Sequence, residues 1–337
     1  MKISLPLYQH PTQVILVDDS ASFIASLEFQ MHPMLAVKSF DGSVEALRWI
    51  FAAYREHHDE QARFPEGAVL PQNTADGGTH GRPDISHICR MVKEPKRFLA
   101  PAVVVVDYAM PYIDGLDFCR ALEGLPCKKI LFTGEADEMV AVDAFNRGLI
   151  DRYLKKGDPD ALDRLSVEIA ALERQFFVER SAALKNLLAR SAYSFLSDDT
   201  FVRLVYGLIK RHGFVEHYLF PDPSGILFFN AEGKAMLMVV ETRVGLNSHL
   251  ETAQDYGAPE DLQEALRRHR VVPFFWSSGG MYTEKVLNWQ QYCLPACVCE
   301  GREDFFWAMF ELPTGFLSEP VYAYGEFLKD QRIATLE

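Results

Sequence analysis

Three aspartates stand directly after two short apolar runs, which is a setting typical of a catalytic or metal-binding group. Val14–Val17 runs into Asp18 and Asp19, and Val103–Val106 runs into Asp107. Buried β-branched runs indicate central strands of a parallel sheet, and ligands bind just beyond the carboxyl ends of such strands. Three carboxylates that meet there need a cation to offset their charge. We therefore expect a hard divalent ion such as Mg²⁺ at this edge of the sheet.

Strands and helices must alternate around these aspartates to bring them together. The pattern predicts strands at 14–17, 35–39, 103–106, 129–133 and 152–155, and helices at 20–31, 43–50, 116–123, 137–147 and 159–172. A polar stretch from about 52 to 101 is too long for an ordinary connection, so we interpret it as an insertion. Strands that are regularly separated by helices predict an α/β fold with a doubly wound, five-stranded parallel sheet.

Four motifs at successive strand ends resemble the receiver domain of two-component response regulators. They are Val14–Ser20, Asp107–Gly115, Leu131–Gly134 and Tyr153–Lys156. The resemblance covers residues 13–172, with the insertion at 52–101. It implies a flavodoxin-like fold that is phosphorylated by a sensor histidine kinase or a phosphotransfer protein, with Mg²⁺ as the cofactor.

The resemblance assigns a role to each carboxylate, and the chemistry of phosphoryl transfer agrees with these roles. Asp107 would be the phosphoacceptor, whose carboxylate attacks phosphorus to give an aspartyl phosphate. Asp19 would ligate Mg²⁺ directly, and Asp18 would do so directly or through water. Asp107 and the backbone carbonyl of Ala109 would complete the protein's share of the metal sphere.

Three further residues would act on the phosphoryl group or respond to it. Lys156 would pair with a phosphoryl oxygen, and strand alternation favours it over Lys155. Thr133 would hydrogen-bond another oxygen, and Tyr153 would turn inward when Thr133 moves. One departure concerns Gly157, because receivers generally have a proline after this lysine, joined by a cis peptide bond. A cis bond to a non-proline residue costs about 2.5–4 kcal/mol, so a trans loop and an altered phosphate lifetime are expected.

A helical pattern continues past the receiver, and we assign residues 173–195 to a helical connector. Apolar residues spaced three and four apart lie along this helix, at Leu162, Leu165, Ile169, Leu172 and Phe176. This spacing fits a coiled-coil seam that forms a homodimer, and it equally fits a stripe that faces the protein's own core. The pattern alone leaves both interpretations open.

Residues 196–337 are expected to form a second α/β or α+β domain that carries the output. We predict a helix at 200–212, strands at 214–220, 225–230 and 235–241, a helix at 259–269 and a strand at 271–276. The aromatic-rich segment after Gly280 shows no clear period and is left unassigned.

Two resemblances suggest different roles for this second domain. The hairpin at 225–241 resembles the strand pairs of sensory PAS domains. The order of elements, with Asp222 ahead of Glu241 and Arg243, resembles the PD-(D/E)xK nucleases, which would place both carboxylates on a metal. Arg243 stands where that family has a lysine, and a permanently charged guanidinium cannot shuttle protons. The whole arrangement is also similar to the response regulators of α-hydroxyketone quorum sensing.

Composition narrows the choice of partners. The formal net charge of −13 opposes binding to nucleic acid, and the basic run Arg267–Arg270 ends a predicted helix whose dipole it complements.

No apolar stretch approaches the ~20 residues that span a bilayer, and no signal-peptide pattern is present at the start of the chain. We expect a cytoplasmic protein whose six cysteines are thiols.

The sequence thus predicts a response regulator in which phosphorylation of Asp107 switches an output domain. We expect the output to act through contacts with a protein or a small ligand, and through a homodimer. The alternatives are a phosphorylation-gated, metal-dependent nuclease, a DNA-binding regulator, and a scaffold whose receiver-like site is never phosphorylated.

Overall fold

A computed structural model describes residues 4–61, 69–70, 82–83, 85–134, 138–188, 193–317 and 320–336. The strands are β1 (Tyr8–Gln9), β2 (Gln13–Val17), β3 (Ala36–Phe40), β4 (Val69–Leu70), β5 (Arg82–Pro83), β6 (Pro101–Val106), β7 (Lys128–Thr133), β8 (Arg152–Lys155), β9 (Phe214–Phe220), β10 (Gly225–Asn230), β11 (Ala235–Glu241), β12 (Val271–Pro273), β13 (Cys293–Pro295), β14 (Cys297–Glu300) and β15 (Asp304–Glu311). The α-helices are α1 (Ala21–Gln30), α2 (Ser43–Gln61), α3 (Ser86–Arg90), α4 (Gly115–Ala121), α5 (Glu138–Asn146), α6 (Ala161–Leu188), α7 (Asp199–His212), α8 (Arg243–Asp255), α9 (Glu260–Arg267) and α10 (Tyr324–Leu336).

The chain folds into two compact units, which the sequence predicts as consecutive blocks at 13–172 and 196–337 joined by a connector at 173–195. The unit with the parallel sheet contains His10–Pro65, Pro95–Arg180 and Phe327–Glu337. The unit with the antiparallel sheet contains Met1–Gln9, Glu66–Glu94 and Ser181–Glu326. The units are therefore not consecutive blocks of sequence. The first nine residues and Glu66–Glu94 of the insertion belong to the antiparallel-sheet unit, and the last eleven residues belong to the parallel-sheet unit.

The parallel-sheet unit has the predicted five-stranded sheet, in the order β3-β2-β6-β7-β8. All neighbouring strands in it run parallel. The three inner strands β2, β6 and β7 are buried along their whole length, because helices cover both faces of such a sheet. The flavodoxin-like α/β fold is confirmed.

Part of the insertion at 52–101 is regular structure. Helix α2 continues to Gln61, well beyond the predicted end at residue 50. Ile85, Ile88 and Val92, which lie around α3, are buried in the core of the antiparallel-sheet unit. The polar centre of the insertion, at 71–81, lies outside the described residues.

Residues 173–188 of the predicted connector form the second half of a single helix, α6. Residues 189–192 lie outside the described part of the chain, and Ser194 begins a separate 3-10 turn. Leu165, Ile169, Leu172 and Phe176 on this helix are at most 4% exposed within the single chain. Two ion pairs also hold the helix to the sheet, between Arg152 and Glu168 and between Lys128 and Glu179. The apolar stripe therefore faces the protein's own core, which explains its spacing without a coiled coil.

The second unit is built on a six-stranded sheet with the order β1-β9-β10-β11-β15-β14. Every neighbouring pair in it is antiparallel. Strands β9, β10 and β11 have the predicted bounds, while β14 and β15 come from the segment that sequence patterns left unassigned. Helix α7 packs on this sheet through Phe201, Val202 and Val205, which lie in the same core. No helix among the described residues is long and apolar enough to cross a membrane.

Candidate functional site

Two neighbouring strands bring the first and third aspartates together. Val17 is paired with Val106 in the parallel register of β2 and β6, so the next residues, Asp18 and Asp107, lie side by side. The backbone N–H of Asp107 donates to the carbonyl of Val17 at 2.9 Å. Both side chains are at most 8% exposed. The sheet thus places two buried carboxylates at its carboxyl edge.

Lys156 contacts both of these carboxylates. Its Nζ lies 2.5 Å from Oδ2 of Asp18 and 2.8 Å from Oδ1 of Asp107. The ring of Phe23 lies 4.2 Å from the same nitrogen, and the Lys156 N–H donates to the carbonyl of Thr133 at 3.0 Å. Buried carboxylates need such a partner, because an unpaired buried charge is strongly destabilising. Phe23 was not identified from the sequence, since no local pattern links it to Lys156.

The loop after β6 fixes the other oxygen of Asp107. Oδ2 accepts a hydrogen bond from the Ala109 N–H at 2.9 Å. The Gly115 N–H donates to the carbonyl of Tyr108, and a Cβ on Gly115 would lie only 2.2 Å from the Asp107 carbonyl oxygen. Only glycine fits this close approach. Gly115 belongs to the Asp107–Gly115 motif, but sequence reasoning gave it no role.

Thr133 and Tyr153 lie on the next two strands. Thr133 is the last residue of β7 and is 1% exposed. Tyr153 is half-buried on β8, opposite Leu131, and packs against the core beneath the site. Lys155 is exposed, whereas the side chain of Lys156 is 20% exposed and reaches the carboxylates. The lysine favoured by strand alternation is therefore the one that lies at the site.

The donor chemistry around Asp107 fits Mg²⁺. Among the described residues, no three His, Cys, Asp or Glu side chains form a metal-binding group, and Asp19 is exposed. Asp18 and Asp107 nevertheless contact one shared cation, the Lys156 ammonium, and Asp19 is the next residue of the same loop. Carboxylate and carbonyl oxygens are the hard ligands that Mg²⁺ prefers. These residues therefore supply the kind of oxygen ligands that a Mg²⁺ ion at this site would need.

The peptide bond between Lys156 and Gly157 is trans, as expected in the absence of a proline. Asp222–Pro223 is the one cis peptide in the described part of the chain. The Lys156 ammonium still reaches Asp107, so the trans loop does not remove the lysine from the site.

The candidate residues of the second unit have separate partners. The predicted strand ends at Glu241 as expected, and Thr242 caps helix α8, of which Arg243 is the first residue. Its guanidinium pairs with Asp304. The sequence interpretation missed α8 because the Thr242 cap has no acidic residue in the following turn.

Glu241 and Asp222 also differ from the nuclease arrangement. Glu241 ends β11, and its Oε1 lies 3.4 Å from Nε2 of the buried His249, which sequence reasoning missed. Asp222 is exposed in the turn between β9 and β10. The described residues therefore bring no metal group together here.

The basic run Arg267–Arg270, which begins at the last residue of α9, is partly neutralised by acidic residues of that helix. Arg267 pairs with Glu260 and Glu264, and Arg268 also pairs with Glu264. Arginines held in this way along a helix surface offer fewer charges to phosphates than the sequence implies.

Comparison with known proteins gives a similarity that extends over nearly the whole chain. The structure of the Legionella pneumophila response regulator LqsR is 28% identical, with a TM-score of 0.77, and the match covers 98% of this chain and 97% of that chain. The similarity therefore spans both the flavodoxin-like receiver and the second, antiparallel-sheet domain.

Other similarities are confined to part of the chain. A CheY-like response regulator receiver domain protein from Methanospirillum hungatei JF-1 is 17% identical with a TM-score of 0.30, over 49% of this chain and 98% of that chain. The transcriptional regulatory protein FlgR of Helicobacter pylori is 37% identical over 75 residues, and the chain spans only 19% of that protein. No family model matches the chain.

Proposed function

We propose that this chain, a response regulator of the two-component type, accepts a phosphoryl group on Asp107 from a sensor histidine kinase or a phosphotransfer protein. The observation that carries the proposal is the contact of one ammonium, that of Lys156, with the two buried carboxylates of Asp18 and Asp107. The ammonium of a lysine beside a carboxylate can pair with that carboxylate before the transfer. After the transfer it can pair with the oxygens of the phosphoryl group that the carboxylate carries.

Each residue of the site has a separate role in the proposed phosphoryl transfer. A carboxylate oxygen of Asp107 forms a bond to phosphorus while the phosphorus–nitrogen bond to the donor histidine breaks, and the electron pair of that bond returns to the imidazole. Lys156 pairs with a phosphoryl oxygen, and the hydroxyl of Thr133 donates to another. Mg²⁺, held by Asp18, Asp19, Asp107 and the Ala109 carbonyl, would neutralise the remaining oxygen charge.

Thr133 and Tyr153 are proposed to convert phosphorylation into a conformational change. Thr133 is 1% exposed, so a movement of its hydroxyl towards the phosphoryl group would leave space beside it in a close-packed region. Tyr153 is half-buried on the adjacent strand, and we propose that it turns into that space. A local change in charge would thereby alter the surface around β8.

The output is proposed to be non-catalytic and to act by contact with a protein or a small ligand. The ion pair of Arg243 with Asp304 and the contact of Glu241 with His249 satisfy two of the three nuclease-like residues within the fold. The net charge of −13 and the paired arginines of α9 oppose direct contact with nucleic acid. All six cysteines are free, which is consistent with action in the reducing cytoplasm.

A homodimer is also part of the proposal, but the surface that supports it is α5 and not the stripe of α6. Met139, Val142 and Phe145 recur at three-residue spacing on α5 and are each at least half exposed. Exposed apolar side chains that share one helix face are suited to pack against a second copy.

The test is phosphorylation of the full chain by acetyl phosphate with Mg²⁺, followed by measurement of intact mass. We expect one acid-labile phosphoryl group on the wild type and none on Asp107→Asn or when Mg²⁺ is chelated. Labelling that persists in Asp107→Asn would contradict the assignment, and an unlabelled wild type would indicate a scaffold receiver. Metal-dependent cleavage of DNA or RNA that is lost in Glu241→Ala would contradict a non-catalytic output.

A further inference from the structure

A cleft with a volume of about 490 Å³ lies in the parallel-sheet unit, on the edge of the sheet formed by β3. Its walls come from β3, from the end of α1 with the turn that follows, and from α10. Sites for small molecules commonly have volumes of about 300–1,000 Å³. Gln13, which opens β2, lines the cleft, whereas Asp18 follows the last residue of that strand. The cleft therefore begins beside the first residue of β2 and extends along the edge strand β3 as far as Ser39, which is paired with Leu16.

Three side chains from different elements give the cleft donors for an anion. Lys38 lies on β3, and Arg332 lies on α10, where one of its Nη atoms donates to the carbonyl of Pro33 at 2.8 Å. His32 accepts the Met34 N–H through Nδ1 at 3.1 Å. Because an imidazole nitrogen that accepts carries no proton, Nε2 of His32 must be the donor.

Fewer acidic than basic side chains line the cleft. Among the described residues that line the cleft, Glu28 carries the one carboxylate, and it already accepts a hydrogen bond from the Ser39 hydroxyl at 2.5 Å. Lys38 and Arg332 are two cationic side chains against one carboxylate, so the lining has an excess of positive charge. In a chain with a net charge of −13 this excess favours an anionic ligand.

The remaining wall is largely apolar, since Met31, Leu35, Val37 and Leu328 also line the cleft. We propose that this cleft binds a small organic anion, with a carboxylate or phosphate head at Lys38, His32 and Arg332 and a short apolar body against the aliphatic wall. Such a ligand would give the receiver a second input that is independent of Asp107.

Calorimetric titration of the full chain with four probes tests the proposal. Octanoate and octyl phosphate carry the two candidate heads on one apolar body, octanol carries the body without a charge, and inorganic phosphate carries a head without the body. We expect at least one of the two amphipathic anions to bind about tenfold or more tightly than octanol and inorganic phosphate. The tighter of the two identifies the head that the cleft prefers.

Variants locate the binding. Lys38→Gln and Arg332→Gln should each weaken the preferred anion about tenfold. Lys234→Gln is the matched control, because Lys234 is an exposed lysine paired with Glu311 in the other unit. Asp107→Asn should bind the anion as the wild type does, which separates this proposal from the proposed phosphorylation. Equal binding of octanol, no binding of any probe, unchanged affinity in both cleft variants, or a loss in Asp107→Asn would overturn it.

Discussion

The ammonium nitrogen of Lys156 lies 2.8 Å from Oδ1 of Asp107, and it also contacts Asp18, which follows the neighbouring strand. A lysine held between two buried carboxylates lowers their repulsion, and in the proposed reaction it pairs with the phosphoryl group. The geometry assigns this position to the second lysine of the pair at the end of β8, while Lys155 is exposed.

Lys156→Gln should therefore lower the extent of phosphorylation. A hydrogen bond to a charged group is worth about 1.5–3 kcal/mol, so the rate of labelling by acetyl phosphate should fall by about tenfold or more. Lys155→Gln is the matched control and should label at the wild-type rate. Phosphoprotein yield against time, measured by intact mass, checks both variants. An equal loss in the two variants would mean that overall charge near β8, and not the position of Lys156, governs the reaction.

Gly115→Ala should disturb the phosphoacceptor without touching its side chain. The new Cβ would lie 2.2 Å from the carbonyl oxygen of Asp107, so the backbone of one of them must move. Overpacking of this kind costs about 1–3 kcal/mol in the free energy of unfolding. Urea denaturation measures this cost, and labelling by acetyl phosphate should slow as well. Gly42→Ala, where a Cβ would meet nothing within 4 Å, should leave both unchanged.

The positions of Asp18, Asp107, Thr133 and Lys156 could be predicted because a parallel sheet gathers the carboxyl ends of its strands at one edge. The β-branched runs Val14–Val17 and Val103–Val106 are enough to place Asp18 and Asp107, whereas Thr133 and Lys156 were identified from the resemblance of their motifs to those of receivers. The ring of Phe23 over Lys156 could not be predicted, since it depends on how α1 packs and no sequence period encodes that contact.

The antiparallel unit was harder to predict for two physical reasons. Strand β15 is apolar at every position from Phe305 to Phe310, so it lacks the alternation that distinguishes a strand from a buried helix. Strand β1 is only two residues long and pairs with β9, which lies far away in sequence. Such a contact is decided by tertiary packing. Tertiary packing also decides that the first residues of the chain belong to the antiparallel-sheet unit and the last residues to the parallel-sheet unit.

Leu172→Ala tests whether the stripe of α6 is core or a coiled-coil seam. Leu172 is fully buried within the single chain, so its truncation should lower the free energy of unfolding by about 2–5 kcal/mol. Val167→Ala on the same helix removes a side chain that is 67% exposed and should change stability very little. Urea denaturation at two protein concentrations checks this. A loss of stability that depends on protein concentration would instead indicate a seam between two copies.

Phe145→Glu tests the homodimer. Phe145 is 50% exposed on the apolar face of α5, so a carboxylate there should oppose the packing of two copies while leaving the fold intact. We expect the mass in solution of the phosphorylated wild type to correspond to a dimer and that of phosphorylated Phe145→Glu to a monomer. Leu287→Glu, which changes a 96% exposed leucine of the other unit, should remain dimeric. Light scattering measures all three, and a dimeric Phe145→Glu would exclude α5 as the interface.

The stability of the parallel-sheet unit should depend on pH through Glu173. Its Oε1 accepts a hydrogen bond from the Thr12 hydroxyl at 2.5 Å, and burial raises the pKa of Glu173 from 4.5 to about 7 although the bonds from Thr12 lower it. Between these two pH values the folded chain holds a proton that the unfolded chain has released. The free energy of unfolding should therefore fall by about 1–3 kcal/mol as the pH rises from about 4.5 to about 7, and stay lower above it.

Glu173→Gln removes this titration while its amide oxygen can still accept from Thr12. The variant should match the wild type near pH 4.5 and exceed its free energy of unfolding at pH 8, because the wild type then carries a poorly solvated carboxylate. Glu45→Gln, an exposed change on α2, should follow the wild type at every pH. Urea midpoints across this range measure the difference. A Glu173→Gln curve parallel to that of the wild type would assign the pH dependence to other groups.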